Sequence, residues 1–155
     1  MKDRDFEACR LTVRLGAIAE NYRTFQRLAG PAAVAGMVKA DAYGLGAEFV
    51  APALARAGCD TFFVARLEEA VTLRRVLGKA PRIFMLDGAP PDAVPALIAH
   101  RLTPVLNSLG EIAAWNAAAL ASRRSLDAAI HIDTGMNRLG LAGEELSRLA
   151  AEWKT

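Results

Sequence analysis

Short apolar runs recur along the chain, and longer segments rich in alanine, leucine, arginine and glutamate separate them. The runs have the length and the β-branched or aromatic content of strands buried on both faces, and the segments between them are long enough for helices. The predicted strands are residues 34–38, 61–65, 82–86, 103–106 and 128–132. The predicted helices are residues 18–28, 47–57, 67–77, 91–100, 109–121 and 144–152.

Start signals support several of these helices. Pro91 and Asp92 suit the first turn of one helix, and Ser108 suits the N-cap of another. Glu68 and Glu69 are placed to favour the positive end of a helix dipole. Strand and helix therefore alternate along the chain.

Strict alternation at roughly 25 residues per unit predicts an α/β fold with a parallel sheet, either doubly wound or a (β/α)8 barrel of the TIM type. An eight-unit barrel takes about 250 residues, whereas this chain has 155. Five units would be an incomplete barrel but a complete flavodoxin-like sheet. The alternation alone leaves both architectures open.

Composition and charge narrow the classes of function. The chain is 53% hydrophobic and 23% charged, which excludes a disordered or collagen-like chain. Its 19 basic and 17 acidic residues nearly balance, and no basic run is interleaved with aromatics, so we expect no nucleic-acid partner. The charged N-terminus leads into no apolar stretch, and no run of about eighteen apolar residues occurs. We therefore expect a soluble, cytoplasmic protein without membrane contact.

Two cysteines, Cys9 and Cys59, are too few and too far apart for a disulfide scaffold or a CxxC metal or redox site. We interpret both as small apolar residues that pack in the core of a protein from a reducing compartment. No metal site is predicted.

The segment VKADAYGLG, residues 38–46, places one of only four lysines at the carboxyl end of the first predicted strand. Active sites of parallel sheets lie at that edge. Apolar surroundings disfavour the charged ammonium, so Lys39 would offer a nucleophilic amine suited to a Schiff base. The alternative is a lysine whose stem is buried while its ammonium reaches water.

Tyr43 offers a hydroxyl four residues after this lysine. Gly44 and Gly46 permit close approach of the backbone to a ligand at the start of the next helix, where phosphate is favoured. A plain turn explains the two glycines equally well, because they match neither the dinucleotide-binding nor the P-loop pattern.

The segment HIDTGMNRLG, residues 131–140, follows the fifth predicted strand. Arg138 lies just past the strand end, where a guanidinium can hold a phenolate, a carboxylate or a phosphate. The alternative is a surface arginine paired with Glu144 or Glu145. An aspartic protease is excluded, since that chemistry needs two such carboxylates in β-rich lobes.

His131 and Asp133 would share one face of the fifth strand by period-two alternation. No third ligand is near them in sequence, so we expect a hydrogen-bonded pair in the core rather than a metal site.

The two segments, together with LTVRLGAIAENY at residues 11–22, resemble the hallmark segments of alanine racemases. The resemblance covers nearly the whole chain and implies the (β/α)8 barrel rather than the flavodoxin-like sheet. It also implies a C-terminal β domain, a homodimer with sites near the subunit interface, and the cofactor pyridoxal 5′-phosphate.

Carried over by motif, the resemblance implies that Lys39 binds the cofactor covalently and acts as one of two bases. It implies that Tyr43 donates a hydrogen bond to the cofactor phosphate, and that Arg138 faces the phenolic oxygen and steadies its negative charge. The implied function is the interconversion of L- and D-alanine by an isomerase that supplies D-alanine for peptidoglycan. The pyridoxal system withdraws electrons from Cα, and racemisation needs proton removal on one face and return on the other.

Two departures from the family pattern shape the expectation. His131 stands where many members have a lysine, sometimes carbamylated, that helps orient the arginine, so Arg138 is expected to be held differently, for instance through Asn137. Residues 1–155 are expected to form only the N-terminal portion of the barrel. The opposing tyrosine base and the arginine at the pyridine nitrogen would then be absent, and the isolated chain would have little or no activity.

Two other functions remain open at this point. One is a non-catalytic pyridoxal-phosphate-binding protein with the related barrel, which needs no second base. The other is a degenerate portion of the barrel that acts only as an association module.

Overall fold

The computed structural model describes residues 10–152, which fold around a five-stranded parallel sheet. The strands are β1 Gly36–Met37, β2 Thr61–Val64, β3 Arg82–Met85, β4 Thr103–Leu106 and β5 Ala129–Ile130. All five predicted strands are confirmed, although β1 and β5 are shorter than the apolar runs that contain them. The spatial order is β1-β2-β3-β4-β5, without the switch point of a flavodoxin-like sheet. The fold is therefore α/β of the barrel type.

The helices are α1 Leu15–Ala29, α2 Lys39–Gly44, α3 Ala47–Arg56, α4 Leu67–Leu77, α5 Val94–Ala99, α6 Leu109–Ser122 and α7 Gly143–Glu152. The predicted N-cap of α6 is confirmed, because the Oγ of Ser108 accepts a hydrogen bond from the Glu111 N–H at 3.2 Å. The short α2 was not predicted. No helix within residues 10–152 is long and apolar enough to cross a membrane.

The predicted start of α5 is wrong. Pro91 and Asp92 lie in a turn before the helix, which begins only at Val94. The Ala93 N–H donates to the Pro90 carbonyl at 2.8 Å, and this short-range bond closes the turn. Pro95, rather than Pro91, occupies the first turn of the helix, where its missing N–H costs no hydrogen bond.

One face of the sheet carries the core. Apolar side chains alternate along the central strands and pack against the surrounding helices, and Phe62 and Ile83 are completely buried there. On the opposite face, Phe63 and Phe84 stack at 4.7 Å between ring centroids but remain half-buried. Met37, in register with Phe63, is 41% exposed. The sheet is therefore covered on one side and partly open on the other.

The interpretation of Cys59 as a core residue is confirmed, since it is 3% exposed and its thiol donates to the Thr61 carbonyl at 3.2 Å. Cys9 lies outside the described residues. Nearby, the Tyr22 hydroxyl donates to the Val34 carbonyl at 3.0 Å and ties α1 to the chain that enters β1. Burial is the main cause that raises the pKa of Tyr22 to about 12, so this hydroxyl stays protonated.

Arg74 joins three parts of the fold at the amino-terminal edge of the sheet. Its Nε donates to the His100 carbonyl at 2.9 Å, and its Nη2 donates to the Arg101 carbonyl at 2.7 Å. Its Nη1 donates to the carbonyls of Gly78 and Pro81 at 2.9 and 2.8 Å. The guanidinium is 8% exposed and thus satisfies four carbonyls at the ends of α4 and α5 and before β3.

We predict that Arg74→Lys lowers the free energy of unfolding by about 3 kcal/mol, because an ammonium cannot satisfy the same four carbonyls. The neighbouring Arg75 is exposed, so Arg75→Lys is the matched control and is expected to change stability by less than about 0.5 kcal/mol. Urea denaturation of both variants measures the difference, and equal midpoints would contradict the role assigned to Arg74.

Candidate functional site

The backbone after β1 adopts a left-handed helical turn. Residues 40–43 have φ between 50° and 58° and ψ between 38° and 51°, and none of them is glycine. Left-handed geometry costs an L-residue roughly 1–2 kcal/mol, so four in succession persist only where the surroundings hold them. Such strained segments cluster at functional sites. We call residues 39–46 the lysine turn.

Two carboxylates hold this turn, one at each end. At its start, the Ala40 N–H donates to the Oε1 of Glu69 at 2.6 Å. At its exit, the Ala47 N–H donates to the Oδ1 of Asp41 at 2.7 Å, and the Gly46 N–H donates to the Asp41 carbonyl at 2.9 Å. The lysine turn is therefore fixed to the first turn of α4 at one end and to the start of α3 at the other.

Glu69 acts beyond its predicted helix-dipole role. It lies in the first turn of α4, as expected, and its Oε2 accepts the N–H groups of Ala65 and Arg66 at 2.8 and 3.0 Å. Its other oxygen crosses to Ala40, 29 residues earlier in the chain. The sequence signal was an acidic residue in the first turn of α4, three positions after the N-cap Arg66, but that pattern does not show which distant N–H it binds.

Lys39 and Tyr43 both lie in the lysine turn, at the carboxyl end of β1 as predicted. Lys39 is half-buried, and Tyr43 is 62% exposed. Within residues 10–152, neither the Lys39 amine nor the Tyr43 hydroxyl has a hydrogen-bond or ion-pair partner. Both groups are available to a ligand.

Two grooves flank the lysine turn. The first, of about 260 Å³, lies between α3 and α4, and Val38, Asp41, Glu48 and Glu69 are among the residues that line it. The second, of about 420 Å³, is lined by residues including Leu11, Gly44, Leu45 and Phe49. Lys39 lines neither groove, so its amine is not enclosed by them.

Residues 131–141 form a loop after β5, which we call the arginine loop. Its two ends are joined by a parallel bridge, in which the Leu141 N–H donates to the His131 carbonyl at 2.8 Å and the Asp133 N–H donates to the Leu141 carbonyl at 2.9 Å. Leu141 is completely buried and anchors the returning chain. The loop is thus closed at its base while Arg138 remains exposed.

Asp133 organises the interior of this loop. Its carboxylate accepts the N–H groups of Gly135, Met136 and Asn137 at 3.0, 2.8 and 2.8 Å. The hydrogen bond from Gly135 is the largest cause that lowers the pKa of Asp133 below its usual value. The backbone on the amino side of Arg138 is therefore fixed by an ionised carboxylate.

The expected pair between His131 and Asp133 is wrong. β5 ends at Ile130, so period-two alternation does not extend to these residues, and Asp133 is committed to backbone N–H groups. The Nδ1 of His131 lies 2.8 Å from the Oδ1 of Asn107 instead. Since the Asn107 amide nitrogen donates to the Leu86 and Val105 carbonyls, its oxygen must accept, which assigns the hydrogen to His131 Nδ1.

Arg138 is held by none of its expected partners. Within residues 10–152, its guanidinium has no ion pair with Glu144 or Glu145. The Asn137 side chain donates to the Gly135 carbonyl at 3.4 Å and does not contact the guanidinium. Arg138 is therefore a third uncommitted polar group.

Lys39 and Tyr43 lie in one segment, the lysine turn, whereas Arg138 lies in the arginine loop. The lysine turn follows β1 and the arginine loop follows β5, which are the two outer strands of the sheet. Because all strands are parallel, both segments lie at the same, carboxyl-terminal edge. They flank this edge from opposite sides, and no hydrogen bond joins them within the described residues.

Comparisons with known proteins identify the family to which the chain is similar. The family described as alanine racemase, N-terminal domain, matches residues 13–155. The chain is 49% identical over 142 residues to a catabolic alanine racemase of Mesorhizobium japonicum, covering 92% of this chain and 37% of that protein. It is 50% identical over 143 residues to an alanine racemase of Methylobacterium nodulans, covering 92% and 38%. The chain thus spans less than two fifths of the length of these relatives.

Among solved structures, the fold is similar to alanine racemase from Bartonella henselae with covalently bound pyridoxal phosphate. The TM-score is 0.87 and the sequence identity is 40%, over 92% of this chain and 40% of that chain. Both the lysine turn and the arginine loop lie inside the matched family range.

The arginine loop generates a prediction at Gly140, whose φ is +100°. An added Cβ would lie 2.9 Å from the His131 Cγ and 3.0 Å from the Asp133 nitrogen. We predict that Gly140→Ala lowers the free energy of unfolding by about 1–3 kcal/mol more than Gly135→Ala. Gly135 is the matched control, because it also has a positive φ but nothing lies within 4 Å of an added Cβ. Equal losses in urea denaturation would contradict this packing.

The lowered pKa of Asp133 predicts how the order of the arginine loop depends on pH. The pKa of Asp133 is lowered in the folded chain. The stabilisation by the hydrogen bonds from residues 135–137 is therefore fully present above the ordinary pKa of 3.8, and it is lost as the pH falls through the lower pKa of the folded chain. We expect the Asp133 carboxyl to titrate below 3.8 by NMR, with faster amide exchange at residues 135–137 over the same range. In Asp133→Asn this pH dependence should disappear, and a titration at or above 3.8 would contradict the assignment.

Proposed function

The chain belongs to the alanine racemase N-terminal domain family, and we propose that it forms the part of a pyridoxal-phosphate-dependent alanine racemase that binds the cofactor through Lys39. The observation that carries this proposal is the strained left-handed turn that begins at Lys39, at the carboxyl edge of β1. A Schiff-base lysine must be held in one place, and this turn provides a fixed backbone for it.

The donor groups at this edge fit the chemistry of pyridoxal phosphate. Lys39 supplies an amine for the aldehyde, Tyr43 a hydroxyl for the phosphate, and Arg138 a guanidinium for the phenolic oxygen. All three head groups lack protein partners within residues 10–152. When bound, the cofactor would withdraw electrons from the Cα of the amino acid and make its proton removable.

This chain would supply one side of the proton transfer. Racemisation requires a base on each face of Cα, and the Lys39 Nζ would take or return the proton on one face. Asp133 would keep the backbone before Arg138 in place, since its carboxylate holds three consecutive N–H groups of the arginine loop. The base for the other face is proposed to lie outside residues 1–155, in the remainder of the complete enzyme.

The same membership supports a proposal on domain organisation. Residues 1–155 would form the N-terminal portion of the barrel, and the other strands and a C-terminal β domain would complete it. Within the described residues, β1 and β5 each pair along one edge only, and the sheet face that carries Phe63 and Phe84 is partly open. The complete enzyme is proposed to be a cytoplasmic homodimer that supplies D-alanine for peptidoglycan.

We predict that the purified chain, mixed with pyridoxal phosphate and reduced with borohydride, carries one phosphopyridoxyl group on Lys39. Peptide mass spectrometry locates the label. Lys39→Ala should lose it, whereas Lys79→Ala, which removes an exposed lysine, should retain it. Labelling that survives in Lys39→Ala would refute the cofactor assignment. The isolated chain is expected to racemise alanine slowly or not at all, and a robust turnover rate would refute the need for a second base from elsewhere.

A further inference from the structure

We infer that Glu69 is a positioning residue for Lys39: its carboxylate sets the direction in which the lysine leaves the backbone. This inference rests on the proposed function, because it concerns the capture of the aldehyde by the Lys39 amine. Glu69 does not belong to the motif segments that carry the family resemblance, which are residues 11–22, 38–46 and 131–140.

Backbone groups from the ends of two strands converge on the Glu69 carboxylate. It accepts three backbone N–H groups at 2.6–3.0 Å, one from Ala40 and two from Ala65 and Arg66. Ala40 follows β1, and the other two follow β2. One side chain therefore joins the carboxyl ends of two neighbouring strands, through the charge-assisted type of hydrogen bond that is strongest in proteins.

The hydrogen bond to Glu69 also restricts the backbone at Lys39. The N–H that Glu69 binds belongs to the peptide between Lys39 and Ala40, so the hydrogen bond fixes the plane of that peptide. On the other side of Lys39, the Val38 N–H donates to the Phe63 carbonyl of β2 at 2.9 Å. The peptide between Val38 and Lys39 is held through the Val38 carbonyl, which accepts the Ala42 N–H at 3.0 Å. With the peptides on both sides of Lys39 held, the direction of its Cα–Cβ bond relative to the sheet is restricted.

The backbone that follows Lys39 is strained. The left-handed residues 40–43 begin immediately after the peptide that Glu69 holds. Within the lysine turn, the N–H groups of Ala42, Leu45 and Gly46 donate to the carbonyls of Val38, Ala42 and Asp41 at 3.0, 3.2 and 2.9 Å. At about 1 kcal/mol each, these three bonds do not offset roughly 1–2 kcal/mol of cost at each of four residues. Without Glu69, Ala40 would lose its link to α4 and could relax toward the right-handed region, which would move the Lys39 amine.

Glu68 offers a matched control. It precedes Glu69 in the first turn of α4 and carries the same charge near the same helix end. It is exposed and makes no hydrogen bond to the lysine turn within the described residues. A substitution there therefore changes the charge and the helix dipole interaction without touching Ala40.

The experiment compares Glu69→Ala with Glu68→Ala in the purified chain. The readouts are the rate at which Lys39 acquires a borohydride-fixed phosphopyridoxyl group and the amide exchange of Ala40, both at the same interval below each variant's Tm. We expect Glu69→Ala to lose protection at Ala40 and to slow capture about tenfold or more, the effect of losing one charge-assisted hydrogen bond. Glu68→Ala is expected to match the unmodified chain in both.

The capture rates decide whether Glu69 positions Lys39. Equal capture rates in Glu69→Ala and the unmodified chain overturn it even if the Tm falls, because a merely structural role lowers the Tm without changing capture. If Glu69→Ala does not fold, Glu69→Asp replaces it: this variant keeps the charge at the helix start but is one methylene too short to reach both strands, and normal capture overturns the inference. Failure of the unmodified chain to capture the cofactor refutes the proposed function itself, and is thereby distinguished from failure of the inference alone.

Discussion

The link between Glu69 and the Ala40 N–H is the interaction on which the candidate site depends. It connects the ends of two parallel strands and holds the first residue of a left-handed turn that would be unfavourable alone. Lys39 occupies the junction between the extended strand and that turn. The position of the lysine is therefore a property of the sheet and of α4 together rather than of its own segment.

This dependence explains which parts of the fold could be predicted from sequence. Buried strands between helices leave a repeating apolar pattern, and the boundaries of β4 and α4 agree with that pattern to the residue. The left-handed turn leaves no such pattern, because alanine and tyrosine do not favour positive φ, and one of the two carboxylates that hold the turn lies 29 residues away. Gly44 and Gly46 indicated a turn, but they did not indicate that the turn is left-handed.

The arginine loop shows a second limit of sequence reasoning. Period-two alternation assumes that a strand continues, and β5 ends one residue before His131. Beyond Ile130, Asp133 acts as a turn residue, because its short side chain accepts hydrogen bonds from nearby backbone N–H groups. His131 instead pairs with Asn107, which follows the adjacent strand β4. The residue types indicated which hydrogen bonds these side chains can make. Which partners they bind depends on where β5 ends.

The sequential order of the sheet has a consequence for how the chain is made. Each strand pairs with the one synthesised just before it, and successive strands begin about 21–26 residues apart. At a ribosome speed of about 5–20 residues per second, each new strand would emerge about 1–5 seconds after its partner. Nascent chains could therefore assemble this sheet strand by strand during translation, without waiting for a distant segment to arrive.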